Sequence, residues 1–366
     1  MLKVGFDARM IENSGIGIRI QHILKFWPLS KEDVQLFIFG NEKVLKNYSI
    51  PNDAKVISYD PPIYSIRESF GHPMMKDMDL LEIPHFNVPL LYVTKCLVTI
   101  HDLIPYHFKV AHSSLVKRLY LKIILHSVRL FSKHVISVSE YTKQDLIRTF
   151  HFKPSKVTVI YNGIDLKQFK LTSSQNLNEF KEKYKLPEIY FLSVGIPKVH
   201  KNFEFLLRSL NAMWKDRLTD IPLVIAGMKG KIPDEWKAIV EEHPHRYFFF
   251  PQIAYEDLAK LYQGAKLFLY PTLLEGFGFP ALEAQAVGTP VLCSNSSVLP
   301  EILKQSAVYF SPTNEEEFKK AVLLLLEDSK TLEKLSQLGL ENAKSFTWDR
   351  AIRKLESLYQ SNFLAD

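Results

Sequence analysis

Short apolar runs recur along the whole chain, and amphipathic helical patterns separate most of them. In the first half they lie at 2–6, 34–39, 55–58, 80–83, 95–100, 133–138 and 156–160. The second half repeats the arrangement at 189–194, 222–226, 247–250, 267–270, 290–294 and 307–310. Such short, nearly unbroken apolar runs are strands buried on both faces, as in parallel sheets covered by helices. The helical period is clearest at Phe203, Leu206, Leu207, Leu210, Met213 and Trp214, spaced i, i+3, i+4, i+7. Strand–helix alternation predicts an α/β chain. At roughly 150 residues per domain, 366 residues divide into two Rossmann-like domains. The polar stretch Leu171 to Leu177 follows Asn162-Gly163-Ile164-Asp165 and sets the boundary within 165–187. The predicted domains are 1–170 and 171–347. The last segment, from Thr347-Trp348-Asp349 through Tyr359, reads as a capped amphipathic helix, and 348–366 is expected to pack back onto the first domain.

Composition excludes several classes. With 46% hydrophobic and 23% charged residues the chain is neither disordered nor fibrous. Two cysteines exclude a disulfide scaffold and a four-cysteine zinc site. Cys96 and Cys293 fall in apolar runs and read as buried thiols. No signal peptide and no run of 18 apolar residues is visible, so a cytoplasmic protein is expected. Charge is uneven: residues 1–170 hold 23 Lys+Arg against 15 Asp+Glu, residues 171–366 hold 23 against 25. No acid occurs between Leu103 and Ser139, where Lys109, Lys117, Arg118, Lys122, Arg129 and Lys133 alternate with Leu115, Leu119, Tyr120, Ile123, Ile124, Leu125, Val128 and Phe131. This predicts a basic amphipathic helix over about 113–131. The segment 109–133 can rest on an anionic membrane surface, in which case the protein is peripheral on the inner face of the membrane. An ordinary solvated basic face is the plainer alternative. No nucleic-acid-binding signature accompanies the charge, and nucleic acid is not an expected partner.

In open α/β sheets ligands bind beyond the carboxyl ends of the strands, where helix N-termini offer free N–H groups to phosphate. Three loops have that position. The first runs from Tyr270 to Glu283: a strand, then Glu275-Gly276-Phe277-Gly278, then Pro280, which suits a helix start. Gly276 and Gly278 let backbone N–H groups approach a ligand. Glu275 in the loop and Glu283 in the predicted first helical turn each offer a carboxylate that accepts two hydrogen bonds from vicinal hydroxyls, as on a sugar or a ribose. The plainer reading makes Glu283 a helix-start acid favoured by the dipole. The second loop is Gly195-Ile196-Pro197-Lys198-Val199-His200-Lys201-Asn202, where Lys201 and Lys198 suit a diphosphate and Asn202 suits a helix cap. The third is Ser14-Gly15-Ile16-Gly17, ahead of a helix predicted from about Ile18 to Phe26. As a dinucleotide fingerprint it fails, because Ile20 occupies the third glycine position. It remains a backbone cradle for a phosphate or an acceptor. His101-Asp102 closes the strand at 95–100 and can meet a ligand hydroxyl.

Together these residues resemble the GT-B glycosyltransferases of family 4 (group 1), in particular the mannosyltransferase-like subgroup. Glu275…Glu283 matches the family's E-x7-E motif. Phe6-Asp7-Ala8-Arg9, Gly15-Ile16-Gly17, His101-Asp102-Leu103-Ile104-Pro105, Val138-Ser139-Glu140-Tyr141-Thr142, Tyr161-Asn162-Gly163-Ile164-Asp165, Pro197 to Asn202 and Ser294 to Glu301 extend the match in order over nearly the whole chain. The resemblance implies two Rossmann-like domains whose parallel sheets face across a cleft, an acceptor domain first and a donor domain second. It implies donor-sugar contact by Glu275, ribose contact by Glu283, diphosphate contact by Lys201, and sugar contact near the reacting centre by His101. It further assigns the donor site to Gly15, Ile16, Gly17, Lys198, Asn202, Ile253, Gly276, Phe277, Gly278 and Leu282. One departure stands out: many relatives carry an arginine where this chain has Ile196.

The implied function is retaining transfer of a hexose, with mannose from GDP-mannose as the first choice, to a glycan or lipid-linked acceptor in polysaccharide or lipopolysaccharide biosynthesis. A GT-B epimerase or phosphorylase, and a silent nucleotide-sugar-binding protein, are the alternatives. The nucleotide sugar is a substrate and no cofactor is expected. Asp77-Met78-Asp79 has the form of a metal-binding string but precedes a strand rather than following one, so no metal is expected either.

Overall fold

In the computed structural model, each predicted apolar run becomes a strand whose ends lie within two residues of the expected ones. The first seven are β1 (Leu2–Asp7), β2 (Val34–Gly40), β3 (Lys55–Ser58), β4 (Leu80–Ile83), β5 (Cys96–Ile100), β6 (His134–Ser137) and β7 (Val157–Val159). They form one parallel sheet in the order β3-β2-β1-β4-β5-β6-β7. The remaining six are β8 (Phe191–Val194), β9 (Leu223–Ala226), β10 (Tyr247–Phe250), β11 (Leu267–Tyr270), β12 (Val291–Ser294) and β13 (Val308–Phe310). Their sheet is also parallel, in the order β10-β9-β8-β11-β12-β13. The structure describes residues 1–63, 65–108, 115–228 and 232–364, and of 115–118 only the backbone. Lys109 and the first part of the predicted basic segment lie outside the described residues, as do the side chains of Lys117 and Arg118.

Strand order decides where a ligand can sit. In the first sheet it reverses between β1 and β4, in the second between β8 and β11. At such a reversal the loops leaving neighbouring carboxyl ends run to opposite faces and open a crevice.

Apolar burial holds each unit together. Beneath the second sheet, Phe203, Leu206, Leu207, Leu210, Met213 and Trp214 of the helix Phe203–Lys215 are all buried, on the face the spacing predicts. Removing each such side chain from water contributes about 1.5–3 kcal/mol. In the first unit Ile124, Leu125 and Val128 of the helix Leu115–Phe131 pack into one cluster with Val98, Ile100 and Val135. Cys96 and Cys293 are both free and buried.

The first unit comprises Met1–Gly163 and Trp348–Asp366, the second Ile164–Thr347. The boundary thus falls at Gly163, seven residues before the predicted 170. Backbone pairing explains the shift: the Ile164 amide donates to the Phe346 carbonyl at 2.9 Å, and Ile164 bridges Thr347. These contacts bind Ile164 and the residues after it to the second unit. The C-terminal helix Trp348–Asn362 belongs to the first unit. Its Tyr359 hydroxyl donates to Glu82, a glutamate buried within β4. Burial pushes the Glu82 carboxyl up to about 7, against the pull of the Tyr359 hydrogen bond and the Arg19 charge.

Candidate functional site

The two loops at the reversal of the second sheet are joined by direct contacts. After β8 the chain runs through Gly195 into a 3-10 turn, Val199–Lys201. Lys201 therefore sits in that turn, two residues before the long helix, rather than at the helix start. Its Nζ donates to Glu275 Oε1 at 2.8 Å and to the Tyr270 hydroxyl at 3.1 Å. Tyr270 is the last residue of β11, so strand and loop present their groups to one ammonium. Thr272 Oγ1 also donates to Glu275 Oε1, at 2.8 Å. The Glu275 amide donates to Ser297 Oγ, in the loop after β12. Burial would raise the Glu275 carboxyl, but the Lys201 charge and the hydrogen bonds from Lys201 and Thr272 outweigh it and hold it below its ordinary range.

Asn202 has a different role from the predicted one. Its φ of 55° is left-handed, a conformation asparagine tolerates better than most residues. An N-cap instead has extended backbone, and the Asn202 side chain makes no cap hydrogen bond. Its Nδ2 donates to the carbonyls of Pro271 (3.1 Å) and Pro312 (2.8 Å), tying the loops after β8, β11 and β13 together. The His200 carbonyl adds a further tie, accepting from Leu273 N. Lys201 and Glu275 are thus held by a braced set of loops.

The glycine-rich loop ends in the helix Phe279–Ala286, with Gly278 at the N-cap and Pro280 in the first turn. Gly278 has φ +87°, a backbone conformation that strains any residue with a side chain, and a Cβ there would press on Leu299 Cδ2 at 2.9 Å. No side chain caps this end. Glu283 is the fifth helical residue, beyond the first turn where it was expected, and the first turn holds no acid. The helix-start explanation for Glu283 therefore fails. Its Oε2 accepts from the Tyr262 hydroxyl at 2.7 Å in buried surroundings. Burial pushes the Glu283 carboxyl up to about 7, opposed by that hydrogen bond and by the Lys201 charge. The two glutamates thus diverge: Glu275 is a fixed anion, and Glu283 exchanges its proton near neutrality. Tyr262 was not singled out in the sequence; Tyr270 and Thr272 fell in the first candidate loop and Ser297 in the Ser294 to Glu301 segment, but none of them was given a role.

The remaining residues expected at the donor differ in what they present. Lys198 is exposed. Ile253 is half-buried in the loop after β10. Phe277 is buried, so its amide rather than its ring is what a ligand can meet. Leu282 is fully buried and presents no side-chain surface, which removes it as a side-chain contact.

In the first unit Gly15, Ile16 and Gly17 lie inside the first turn of the helix Ser14–Lys25, not ahead of it. The Gly17 amide already donates to the Asn13 carbonyl at 2.8 Å, and a Cβ on Gly17 would strike the Ile11 carbonyl oxygen. No side chain caps this helix end. First-turn amides without a carbonyl four residues back suit an anion or a hydroxyl oxygen. Arg9 is buried against Asp7, Nε to Oδ1 at 3.0 Å and Nη2 to Oδ2 at 2.7 Å, and reaches Glu68 at 3.0 Å. That leaves Arg9 inside the scaffold, bracing the segment after β1.

His101 follows β5, and its Nε2 lies 2.9 Å from the Pro84 carbonyl. A carbonyl only accepts, so Nε2 carries the proton. Burial and the nearby Arg19 charge push the ring down to about 3, so the imidazole is neutral. Its Nδ1 is then an acceptor, matched to a hydroxyl and not to a phosphate. Asp79 of the Asp-Met-Asp string accepts from the Lys3 amide at 2.8 Å, just before β4 and away from the carboxyl ends.

Comparisons with known proteins agree with this arrangement. The profile of the family described as "Glycosyl transferases group 1" matches residues 174–342, and that of "Glycosyltransferase Family 4" matches 76–168. The O-antigen chain mannosyltransferase RfbU of Salmonella typhimurium is 29% identical over 65% of this chain and 62% of its own length. O-antigen chain mannosyltransferase B of Escherichia coli is 27% identical over 66% of this chain and 64% of its own length. The chain thus matches a little under two thirds of these relatives' length. Among solved structures, Anabaena HepE in complex with UDP-glucose has a TM-score of 0.77 at 16% identity, covering 99% of this chain and 100% of its own. That likeness establishes the fold, the two parallel-sheet Rossmann-like domains of GT-B. The two profiles match in order along the chain, so it is similar to the family 4 glycosyltransferases over 76–168 and to the group 1 glycosyl transferases over 174–342.

Proposed function

We propose that this chain transfers a hexose from a nucleotide sugar to a glycan or lipid-linked acceptor in surface-polysaccharide assembly, with retention of anomeric configuration. The observation that carries the reading is the Lys201 ammonium, held beside Glu275 at the reversal of the second sheet. An ammonium has three donors. Glu275 and Tyr270 engage two of them, leaving a third for a diphosphate. As the anomeric carbon–oxygen bond breaks, negative charge grows on the leaving diphosphate, and a fixed cation favours that state. The acceptor oxygen enters from the face the diphosphate vacates, a new carbon–oxygen bond forms, and the acceptor proton passes to a phosphate oxygen. Glu275 grips donor-sugar hydroxyls, Glu283 the ribose, and the neutral His101 accepts from a sugar hydroxyl.

GDP-mannose is the proposed donor, supported by the mannosyltransferase names of RfbU and its Escherichia coli counterpart. The test is a thermal-shift panel of GDP-, UDP- and ADP-sugars, followed by an assay for sugar linked to an added acceptor. Stabilisation by GDP-mannose alone, with acceptor-dependent release of GDP, is expected. Stabilisation by another nucleotide sugar would replace the donor. Conversion of the free sugar without acceptor would replace the reaction.

An anionic membrane surface is the proposed second partner. No described helix is long and apolar enough to cross a membrane. The helix Leu115–Phe131, however, is apolar on two sides. Leu121, Ile124, Leu125 and Val128 face the core, while Leu119, Ile123, Leu130 and Phe131 are exposed beside the exposed Lys122. A second copy docked face to face would bring like charges together, whereas an anionic bilayer satisfies both the apolar stripe and the cations. Vesicles containing phosphatidylglycerol should retain the protein at low salt, and Lys122→Glu with Ile123→Glu should release it. Equal retention of both proteins would end this reading.

A further inference from the structure

We propose that Tyr262 is a positioning residue, whose hydroxyl fixes the Glu283 carboxylate in the orientation that reads the vicinal hydroxyls of a nucleotide ribose. This rests on the reading of Glu283 as the ribose contact. Three observations carry it. First, the hydroxyl and Glu283 Oε2 are 2.7 Å apart, and both residues are buried, so water does not compete for the contact. Second, the tyrosine is itself immobilised. Its ring meets Phe268 edge-on at 5.4 Å and Phe169 at 6.1 Å, and its carbonyl accepts from Thr289 Oγ1 at 2.7 Å. Third, the contact engages one carboxylate oxygen, and Glu283 keeps 8% of its surface accessible.

A glutamate side chain has three rotatable bonds, and a carboxylate that must grip two adjacent hydroxyls needs one fixed plane. Tyr262 supplies that plane from the helix Tyr255–Gln263, while Glu283 projects from the helix Phe279–Ala286. Orientation is thus set before the nucleotide arrives, and binding need not select it from several rotamers. Tyr262 touches no part of the donor in this scheme. Its influence is confined to the ribose end, remote from the breaking bond, so it acts on donor affinity and not on turnover.

The experiment compares UDP with 2′-deoxy-UDP, and GDP with 2′-deoxy-GDP, by titration calorimetry on the full chain. The wild type should prefer the ribose form of its nucleotide by about tenfold or more, since a 2′-deoxyribose removes one of the two hydroxyls that the buried carboxylate accepts from. In Tyr262→Phe, which keeps the ring and its clamp, that ratio should fall to about threefold or less. Donor KM should rise at least about fivefold with kcat unchanged. The ratio is internal to each variant, so loss of folded protein scales both arms alike. Thr289→Val serves as the control: it removes one tie on the helix end that carries Tyr262 but leaves the hydroxyl, so the ratio should fall by clearly less than in Tyr262→Phe. Four results would overturn the inference: an unchanged ratio in Tyr262→Phe, a fall in kcat equal to the rise in KM, an equal loss of ratio in Thr289→Val, or a wild type that binds its nucleotide without preferring ribose. A wild type that binds neither nucleotide would instead remove the proposed function itself, and this inference with it.

Discussion

Lys201→Ala is expected to lower kcat at least a hundredfold, equivalent to about 3 kcal/mol of lost transition-state stabilisation. The ammonium is the cation held at the β8/β11 reversal, and its free third donor is the group proposed to meet the leaving diphosphate. The substitution has a second consequence. Glu275 would lose the charge that offsets its burial, leaving a carboxylate in a site that penalises it. Breaking a buried pair from one side costs about 3–5 kcal/mol, an upper figure for a lysine that keeps some exposure. Stability and chemistry must therefore be separated. Turnover should be measured well below the variant's own melting temperature, alongside Lys201→Arg. Arginine keeps the charge but spreads it over a planar fork, so it should restore the fold more fully than the rate. Near-normal turnover in Lys201→Ala would contradict the proposed role, and the double variant Lys198→Ala with Lys201→Ala shows whether Lys198 substitutes for it.

The strands were legible in the sequence for a physical reason. A parallel strand covered on both faces cannot alternate, so runs such as Leu267-Phe-Leu-Tyr270 stand out as unbroken apolar segments, and all four of those residues are buried. The same logic found the loops. A glycine-rich stretch between a buried strand and a helix can only lie at a carboxyl end, and the order of the strands then turned two such loops into neighbours. Helix starts were less legible. The glycines at 15 and 17 suggested a loop, yet Ser14 begins the helix, because glycine is tolerated in a first turn whose amides point outward. Glu283 moved from the first turn to the second for a related reason: Phe279, ahead of the proline, is already helical.

Partners were the part that could not be read. Tyr262 lies 21 residues from Glu283 and Tyr270 lies 69 from Lys201, and nothing in local spacing links either pair. Asn202 shows the same limit differently. An asparagine before a helix reads as a cap, but the left-handed backbone that makes it a tie between three loops is set by tertiary structure. Local chemistry pointed to residue types and left their partners undetermined.

Glu283→Gln should make the second unit more stable at pH 8 while weakening the donor site. The sign follows from the raised carboxyl. Glu283 ionises at about 7 when folded, against an ordinary value of 4.5. Below 4.5 it is neutral in both folded and unfolded chains and costs nothing. Between 4.5 and 7 the unfolded chain gives up the proton while the folded site retains it, so the penalty grows. Above 7 it is complete, about 3 kcal/mol. Glutamine keeps an oxygen for the Tyr262 hydroxyl and removes the charge, so calorimetry should find a melting temperature several degrees higher at pH 8 and nearly unchanged at pH 4. Donor binding should move oppositely. A neutral amide accepts less strongly than a carboxylate and offers one accepting oxygen in place of two, so affinity should drop about tenfold or more. Wild-type affinity should also rise between pH 6 and 8 as the carboxylate forms, and that slope should vanish in the glutamine variant. A lower melting temperature for Glu283→Gln at pH 8 would mean that the carboxylate stabilises the fold after all. In that case Glu283 would be a structural acid, and the ribose would have to be held elsewhere.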